Sequence, residues 1–360
     1  MWPYWIMFAL PAMLALLEPA PATAGGVKGA RSGQTVGWIL VWLVLVLVVG
    51  LRHEVGGDWG NYIFKFKEVR GDTLGAALAG DDPGYRVFEW LTYSLGWDIH
   101  GLNFLSAIVF SLGLVVFCRD LPRPWLALTV SVPYLIIVMG MGYTRQGVAL
   151  GCVMLSLVAL SRKRTATFVL WAFLGATFHK SAVLLLPMAA LAASRRKLVT
   201  AVWVVIVAGF TYSLLLQDSV ETLRVNYLEA EYQSQGALVR LALNAVPAAI
   251  LLAWRRHFVM SAEQAQLWFW FAVTSFMLLA LYYISPSSTA VDRMGLYLLP
   301  LQLVVFSYLP DALTRHTGSH RPSVLAVILL YGAVQGVWLE YAANAYAWLP
   351  YQMWIGSDDT

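Results

Sequence analysis

Runs of apolar side chains, each ended by a charge or a Pro/Gly break, constrain this chain more than any motif in it. They fall at roughly 2–17, 36–51, 101–118, 124–143, 146–161, 165–178, 181–193, 198–216, 237–254, 264–284, 294–310 and 323–340. A straight helical span of a bilayer takes about 20 such residues. Hydrocarbon offers no partner to backbone N–H and C=O groups, so a helix is the economical way to cross it. The expected fold is therefore all-α: a polytopic membrane protein with about 12 transmembrane helices, some short or re-entrant, in a single domain over 1–360. Only 12% of residues are charged, about half the share of a soluble domain. A formal charge of +4 with no long basic run argues against nucleic acid. Cys118 and Cys152 lie in apolar runs without a CxxC or a His partner, and read as small core residues. Ala20, Ala22 and Ala24 resemble a cleavage site, yet no Lys or Arg precedes the first run, so it is read as a retained span.

Orientation follows from the cations. Lys28 and Arg31; Arg119 and Arg123; Arg162, Lys163 and Arg164; Arg195, Arg196 and Lys197; Arg255 and Arg256; and Arg315 and Arg321 occupy alternate loops. Those loops are expected inside, with both termini outside. One helix over 165–193 would place Arg162–Arg164 and Arg195–Lys197 on opposite sides. The stretch is therefore read as two short helices broken at Phe178-His179-Lys180. At 1.5 Å per residue each reaches about 21 Å, short of a ~30 Å core. The tip carrying His179 and Lys180 is thus expected below the outer surface. The first outer loop, 52–100, holds Asp82-Pro83, an N-cap followed by proline at the first helical position. That pair opens an amphipathic interfacial helix over 83–96, with Val87, Trp90, Leu91 and Ser94 on one face and Arg86 and Glu89 off it. A second outer loop, 217–236, is acidic and reads as a solvated cover.

Ionisable residues inside apolar sequence are functional candidates by default, because an unpaired charge there is costly. Arg145, in Gly142-Tyr143-Thr144-Arg145-Gln146-Gly147, is either a donor fork for phosphate oxygens or a cation snorkelling from a helix end. His179 is either a proton carrier near neutral pH or a buried imidazole on a carbonyl; Lys180 follows it. Asp292-Arg293 either pair with each other or present Arg293 as a second cation. Arg52-His53-Glu54-Val55-Gly56-Gly57-Asp58 is either a turn whose glycines adopt positive φ or a carboxylate site at the membrane surface.

These elements, in order, resemble the EpsG family of bacterial exopolysaccharide membrane proteins, related in role to Wzy-type polymerases. The likeness rests on Arg52 to Tyr62 with its Gly-Asp-aromatic-x-Asn-Tyr core, Asp82-Pro83-Gly84-Tyr85, Arg145-Gln146-Gly147 and Phe178-His179-Lys180-Ser181. Arg293, Met294 and Tyr297 match more loosely, and the likeness spans about 36–310. Trp59 departs from the tyrosine expected there but stays aromatic. The resemblance implies a multi-span glycosyltransferase in the bacterial inner membrane, using polyprenol-linked donors outside the cytoplasm. Arg52, Asp58, Arg145 and His179 match its motif positions.

The expected reaction moves a glycan from undecaprenyl diphosphate to a hydroxyl of a lipid-linked repeat unit. His179 is the first choice of base, Asp58 the second, with Glu54 beside it. Arg145, Arg293, Arg52 and Lys180 would hold the diphosphate. Trp59, Asn61, Tyr62, Arg86, Glu89 and Gln146 would meet the acceptor sugar. No metal or other cofactor is required, Asp81-Asp82 reading as a helix cap. The expected partners are lipid-linked oligosaccharide and other assembly or export proteins. A flippase would call for a polar path to the inner face, where these runs are apolar. A membrane acyltransferase would leave the arginines without a task.

Overall fold

A computed structural model describes residues 1–19, 32–69, 71–184, 236–285, 287–314 and 319–356. Among them the chain is helical, without a β-strand element. The predicted runs 198–216 and nearly all of 181–193, and the loop 217–236 up to its last residue, lie outside the described residues. Each other predicted run has its helix: α1 (Trp2–Leu17), α2 (Ser32–Gly50), α6 (Ile99–Asp120), α7 (Pro124–Ser131), α8 (Thr144–Ser161), α9 (Thr165–Phe178), α10 (Ala237–Ala253), α11 (Ala262–Ile284), α13 (Pro300–Leu313) and α14 (Arg321–Tyr341). Between them stand the shorter α3 (Trp59–Glu68), α4 (Leu74–Ala79), α5 (Pro83–Ser94) and α12 (Ser288–Gly295).

Among the described residues four helices are long and apolar enough to cross a membrane, α6, α8, α11 and α14, and a fifth span is formed if α12 and α13 count as one across their 43° bend. The remaining apolar helices run 10–17 residues, counting α2 from Thr35 and α7 with its continuation to Gly140, so helix length alone does not carry the expected twelve. Exposure marks this as a membrane protein: Val36, Leu40 and Val44 stand at four-residue spacing on α2 and all face outward. A soluble helix turns such a stripe inward.

Successive helices alternate in direction, which places the C-terminal ends of α6, α8 and α13 with the N-terminal ends of α7 and α11. Arg162 at the end of α8 pairs with Asp120 at the end of α6, Lys163 with Glu263 in the first turn of α11, and Arg123 with Asp311 on α13. These contacts gather one end of the bundle around the cations that alternate along the sequence. The candidate site residues occupy the other end.

Glycines let the central helices touch. A Cβ on Gly113 of α6 would lie 2.1 Å from the carbonyl oxygen of Gly151 on α8. Close backbone approach at small residues is how membrane helices gain packing where lipid removes the hydrophobic drive. Neither backbone can retreat without losing its neighbours. Gly113→Ala should cost at least the ~1–3 kcal/mol of an overpacked core, read as a lower melting temperature of the solubilised protein.

Beyond Pro133 the α7 helix widens into a π-helix, Val132–Gly140. Such insertions change which side chains face a site. Here it delivers the chain to Met141, Gly142 and the start of α8.

Candidate functional site

The site grows from places where motif loops touch. Gly56 has φ +116°, and a Cβ there would meet the Met141 carbonyl oxygen at 2.4 Å. Only glycine fits both constraints. The Gly-Gly-Asp loop is thereby pressed onto the turn that precedes Arg145. A Cβ on Gly84, at the start of α5, would lie 2.5 Å from Thr177 Oγ1, which joins the Asp-Pro-Gly-Tyr element to the Phe-His-Lys end of α9.

Arg52 sits beneath this junction and corrects one expectation. It is 1% exposed. Its Nη1 donates to the Val49 carbonyl (2.6 Å), Nε to that of Val55 (3.2 Å), and Nη2 to Asn103 Oδ1 (2.9 Å) and Thr144 Oγ1 (2.8 Å). The guanidinium is spent on tying α2, α6 and α8 together, so it is a strut rather than a diphosphate ligand. Glu54 is also corrected: it stands on an exposed turn at φ 52° and pairs with no cation of the cluster. Gln146 is 4% exposed with neither amide atom hydrogen-bonded, so it lies below any surface a sugar could touch.

Arg145 is the centre. Its Nη2 donates to Glu89 Oε1 at 3.3 Å, its Nη1 lies 3.7 Å from Asp82 Oδ2, and its guanidinium covers the Tyr85 ring at 4.7 Å. Its Nε has no partner. Tyr62 Oη accepts its backbone N–H at 3.4 Å. The α5 helix brings this about by turning its polar stripe inward: Tyr85, Glu89 and Thr92 are its buried residues. Glu89, expected on an open face, is 0% exposed and shared with Arg86 Nη1 at 3.3 Å. Burial pushes its carboxyl pKa up, while Arg145 and Arg86 pull it down. Asp82 is a further correction. It occupies the N-cap position at φ 52° but makes no side-chain cap bond; its carboxylate turns to Arg145 and to the backbone N–H of Lys180.

His179 follows the last residue of α9 in extended conformation, and a 3₁₀ turn, Lys180–Leu184, comes next. The break expected at 178–180 is present. Its Nδ1 accepts from the Ser181 N–H (3.3 Å) and faces Tyr297 Oη (3.3 Å). Burial, then Arg293, Arg145 and Lys180, hold its pKa well below the ordinary histidine range. A neutral ring whose Nδ1 accepts carries its proton on Nε2. As placed, His179 offers an Nε2–H donor. Lys180 Nζ reaches Asp81 Oδ1 at 2.7 Å.

Asp58 caps the start of α3 in position, hydrogen-bonds the Asn61 side chain, and feels Arg293 and Arg145. Burial, the larger effect, raises its pKa above 3.8. Trp59 lies against His53, and Arg86 also meets Asp72 at 3.4 Å. Arg293 comes from α12, next to Asp292. Asp292 has a partner of its own in Arg240 on α10, which takes it with two short bonds, 2.6 and 2.5 Å. A lone arginine four residues into an apolar run was the available signal for that partner.

The C-terminal segment was also unread. Gly56 N–H donates to Ala347 (2.8 Å), His53 N–H to Gln352 (3.0 Å) and Trp354 N–H to Leu51 (2.7 Å). Trp348 underlies Gly57 and Gly142.

One end of a lipid-facing helical bundle thus brings Arg293, Arg145 and Lys180 within electrostatic reach of His179, and Arg293 and Arg145 within reach of Asp58, and the class so defined is a polytopic membrane protein with a charged site at a bundle end. The chain belongs to the EpsG family, whose model matches residues 36–353, and is a membrane protein of exopolysaccharide formation. The match passes the limit of 310 expected from motifs and takes in the segment packed on Gly56. No curated protein and no solved structure matches the chain.

Proposed function

We propose that this protein is an exopolysaccharide polymerase of the bacterial inner membrane. It transfers a glycan from undecaprenyl diphosphate to a hydroxyl of a lipid-linked repeat unit. The site end faces outward, with the cation-rich end in the cytoplasm, both termini outside, and the short apolar helices crossing with the long ones. The observation that carries the reading is the convergence of Arg145 and Arg293 on both His179 and Asp58, with Lys180 also acting on His179.

The anomeric C–O bond to the diphosphate breaks, its electron pair leaving on phosphate, while the acceptor oxygen bonds the same carbon. Arg145 and Arg293 offset the charge that develops on the leaving group, where a fixed donor acts without reorganisation. Lys180 exchanges Asp81 for phosphate, and His179 donates from Nε2. Asp58 takes the acceptor proton. No metal or other cofactor is needed, and the partners are the two lipid-linked glycans with the proteins that export the product.

Deleting the gene should leave a full-length lipid-linked repeat unit unpolymerised. A truncated one would mark a transferase of single sugars. A base must be ionised, so activity should fall as pH drops through a midpoint above 3.8, the ordinary aspartate value, because burial raises Asp58. A pH–rate profile checks this, and Asp58→Asn should abolish turnover across it.

A further inference from the structure

Beside the charged cluster lies a set of rings with no part in the reaction above. Trp354 stacks on His100 with centroids 4.9 Å apart and planes 11° apart, and His100 lies beside His53 at 5.2 Å and 24°. Trp59 closes the set, 5.9 Å from His53 and 5.7 Å from His100. The rings come from distant parts of the chain and are held by the backbone bonds of His53 to Gln352 and of Trp354 to Leu51. Trp354 is 37% exposed.

The polar edge is oriented as well. Asp98 Oδ2 lies 2.7 Å from His100 Nδ1, and His100 Nε2 lies 3.0 Å from His53 Nδ1. A carboxylate only accepts, so His100 donates from Nδ1. One hydrogen is then shared between His100 Nε2 and His53 Nδ1, which fixes the two rings edge to edge. Asp98 bonds the His100 N–H through its other oxygen, and its side chain is 56% exposed. His100 is buried at 6% exposure beneath Trp354, so the open surface is made by Trp354 and the half-buried His53 and Trp59, with the Asp98 carboxylate at its border. Pyranose rings present the complement: a C–H face that lies on an aromatic plane, and hydroxyls around the rim that donate.

We propose that Trp354, His53 and Trp59, set on the buried His100 and bordered by Asp98, form a saccharide-binding shelf for the acceptor glycan. The idea rests on the polymerase reading for its role and on the geometry alone for its ligand. Trp59 follows Asp58 directly, so a sugar on the shelf extends from the place where the acceptor hydroxyl is activated. A polymerase needs such a subsite, since the acceptor's contacts beyond its reacting end decide which chain is extended.

The test uses the full chain in nanodiscs and oligosaccharides from partial acid hydrolysis of the producing strain's own exopolysaccharide, with binding followed by saturation-transfer NMR. Binding should occur with the intact protein, persist in Arg145→Ala, and weaken about tenfold in Trp354→Ala, the upper range for losing one aromatic contact. Trp354→Phe should recover most of it and serves if the alanine variant fails to fold. In turnover, Trp354→Ala should raise KM for the lipid-linked acceptor at little change in kcat. Absent binding by the intact protein, or equal binding by both Trp354 variants and the intact protein, overturns the shelf. Turnover that persists with no saccharide binding would sink the shelf and leave the polymerase standing.

Discussion

Replacing Arg145 by alanine should stop polymer formation while leaving the protein in the membrane. A fixed donor aimed at developing charge is worth about 10²–10³ in rate, or 2.7–4 kcal/mol. Arg145 also holds Glu89, which is fully buried, so the same change threatens the fold. Arg86 lies 3.3 Å from the other carboxylate oxygen and limits that damage. The double variant Arg145→Ala, Glu89→Gln separates the two effects, since it removes the buried charge along with its partner. Stability should recover in the pair and activity should not. Lysine at 145 keeps the charge but cannot reach Glu89 and Asp82 together, so Arg145→Lys should fall between. Polymer per unit of membrane-embedded protein is the measure. Full activity in Arg145→Ala would remove the centre of the site.

The second large effect is predicted at Arg240. It meets Asp292 through both nitrogens, with side chains only 12% and 7% exposed. Breaking a buried pair by removing one partner costs about 3–5 kcal/mol, because the remaining charge stays desolvated. Arg240→Ala should therefore lower the melting temperature of the solubilised protein sharply. It should also lower activity in what remains folded, since Arg293 follows Asp292 on the same short helix. Exchanging the charges, Arg240→Asp with Asp292→Arg, should restore much of the stability. If Arg240→Ala melts like the parent, the pair does not anchor α12 and the placement of Arg293 needs another cause.

What the sequence made legible was whatever hydrocarbon enforces. Apolar runs became helices because a buried backbone must bond itself, and the alternating cations foretold both the alternating direction of successive helices and the break at His179. Residue types at the site were legible too; their directions were not. Arg52 was placed with the phosphate ligands because an arginine beside a span is costly, and that cost is met by Val49, Val55, Asn103 and Thr144, none recognisable as partners beforehand. Asp82 reads as a cap from Asp-Pro, yet its carboxylate turns to Arg145 and to the Lys180 N–H instead. Glu89 was assigned to an open face because α5 looked like an interfacial helix with its polar side in water; that side faces the protein. The C-terminal segment pairs with 51–56 through backbone bonds, which leave no mark on side-chain pattern. His53 and His100 are 47 residues apart, so their row with Asp98 has no sequence signature either.

The central claim is that this bundle end breaks a sugar–diphosphate bond. Its most direct test is the purified protein in nanodiscs, given lipid-linked repeat unit and assayed for undecaprenyl diphosphate. The account predicts one diphosphate lipid released for each repeat joined, and none from Arg145→Ala. Repeat unit that crosses a sealed vesicle intact, with no diphosphate lipid released, would contradict it.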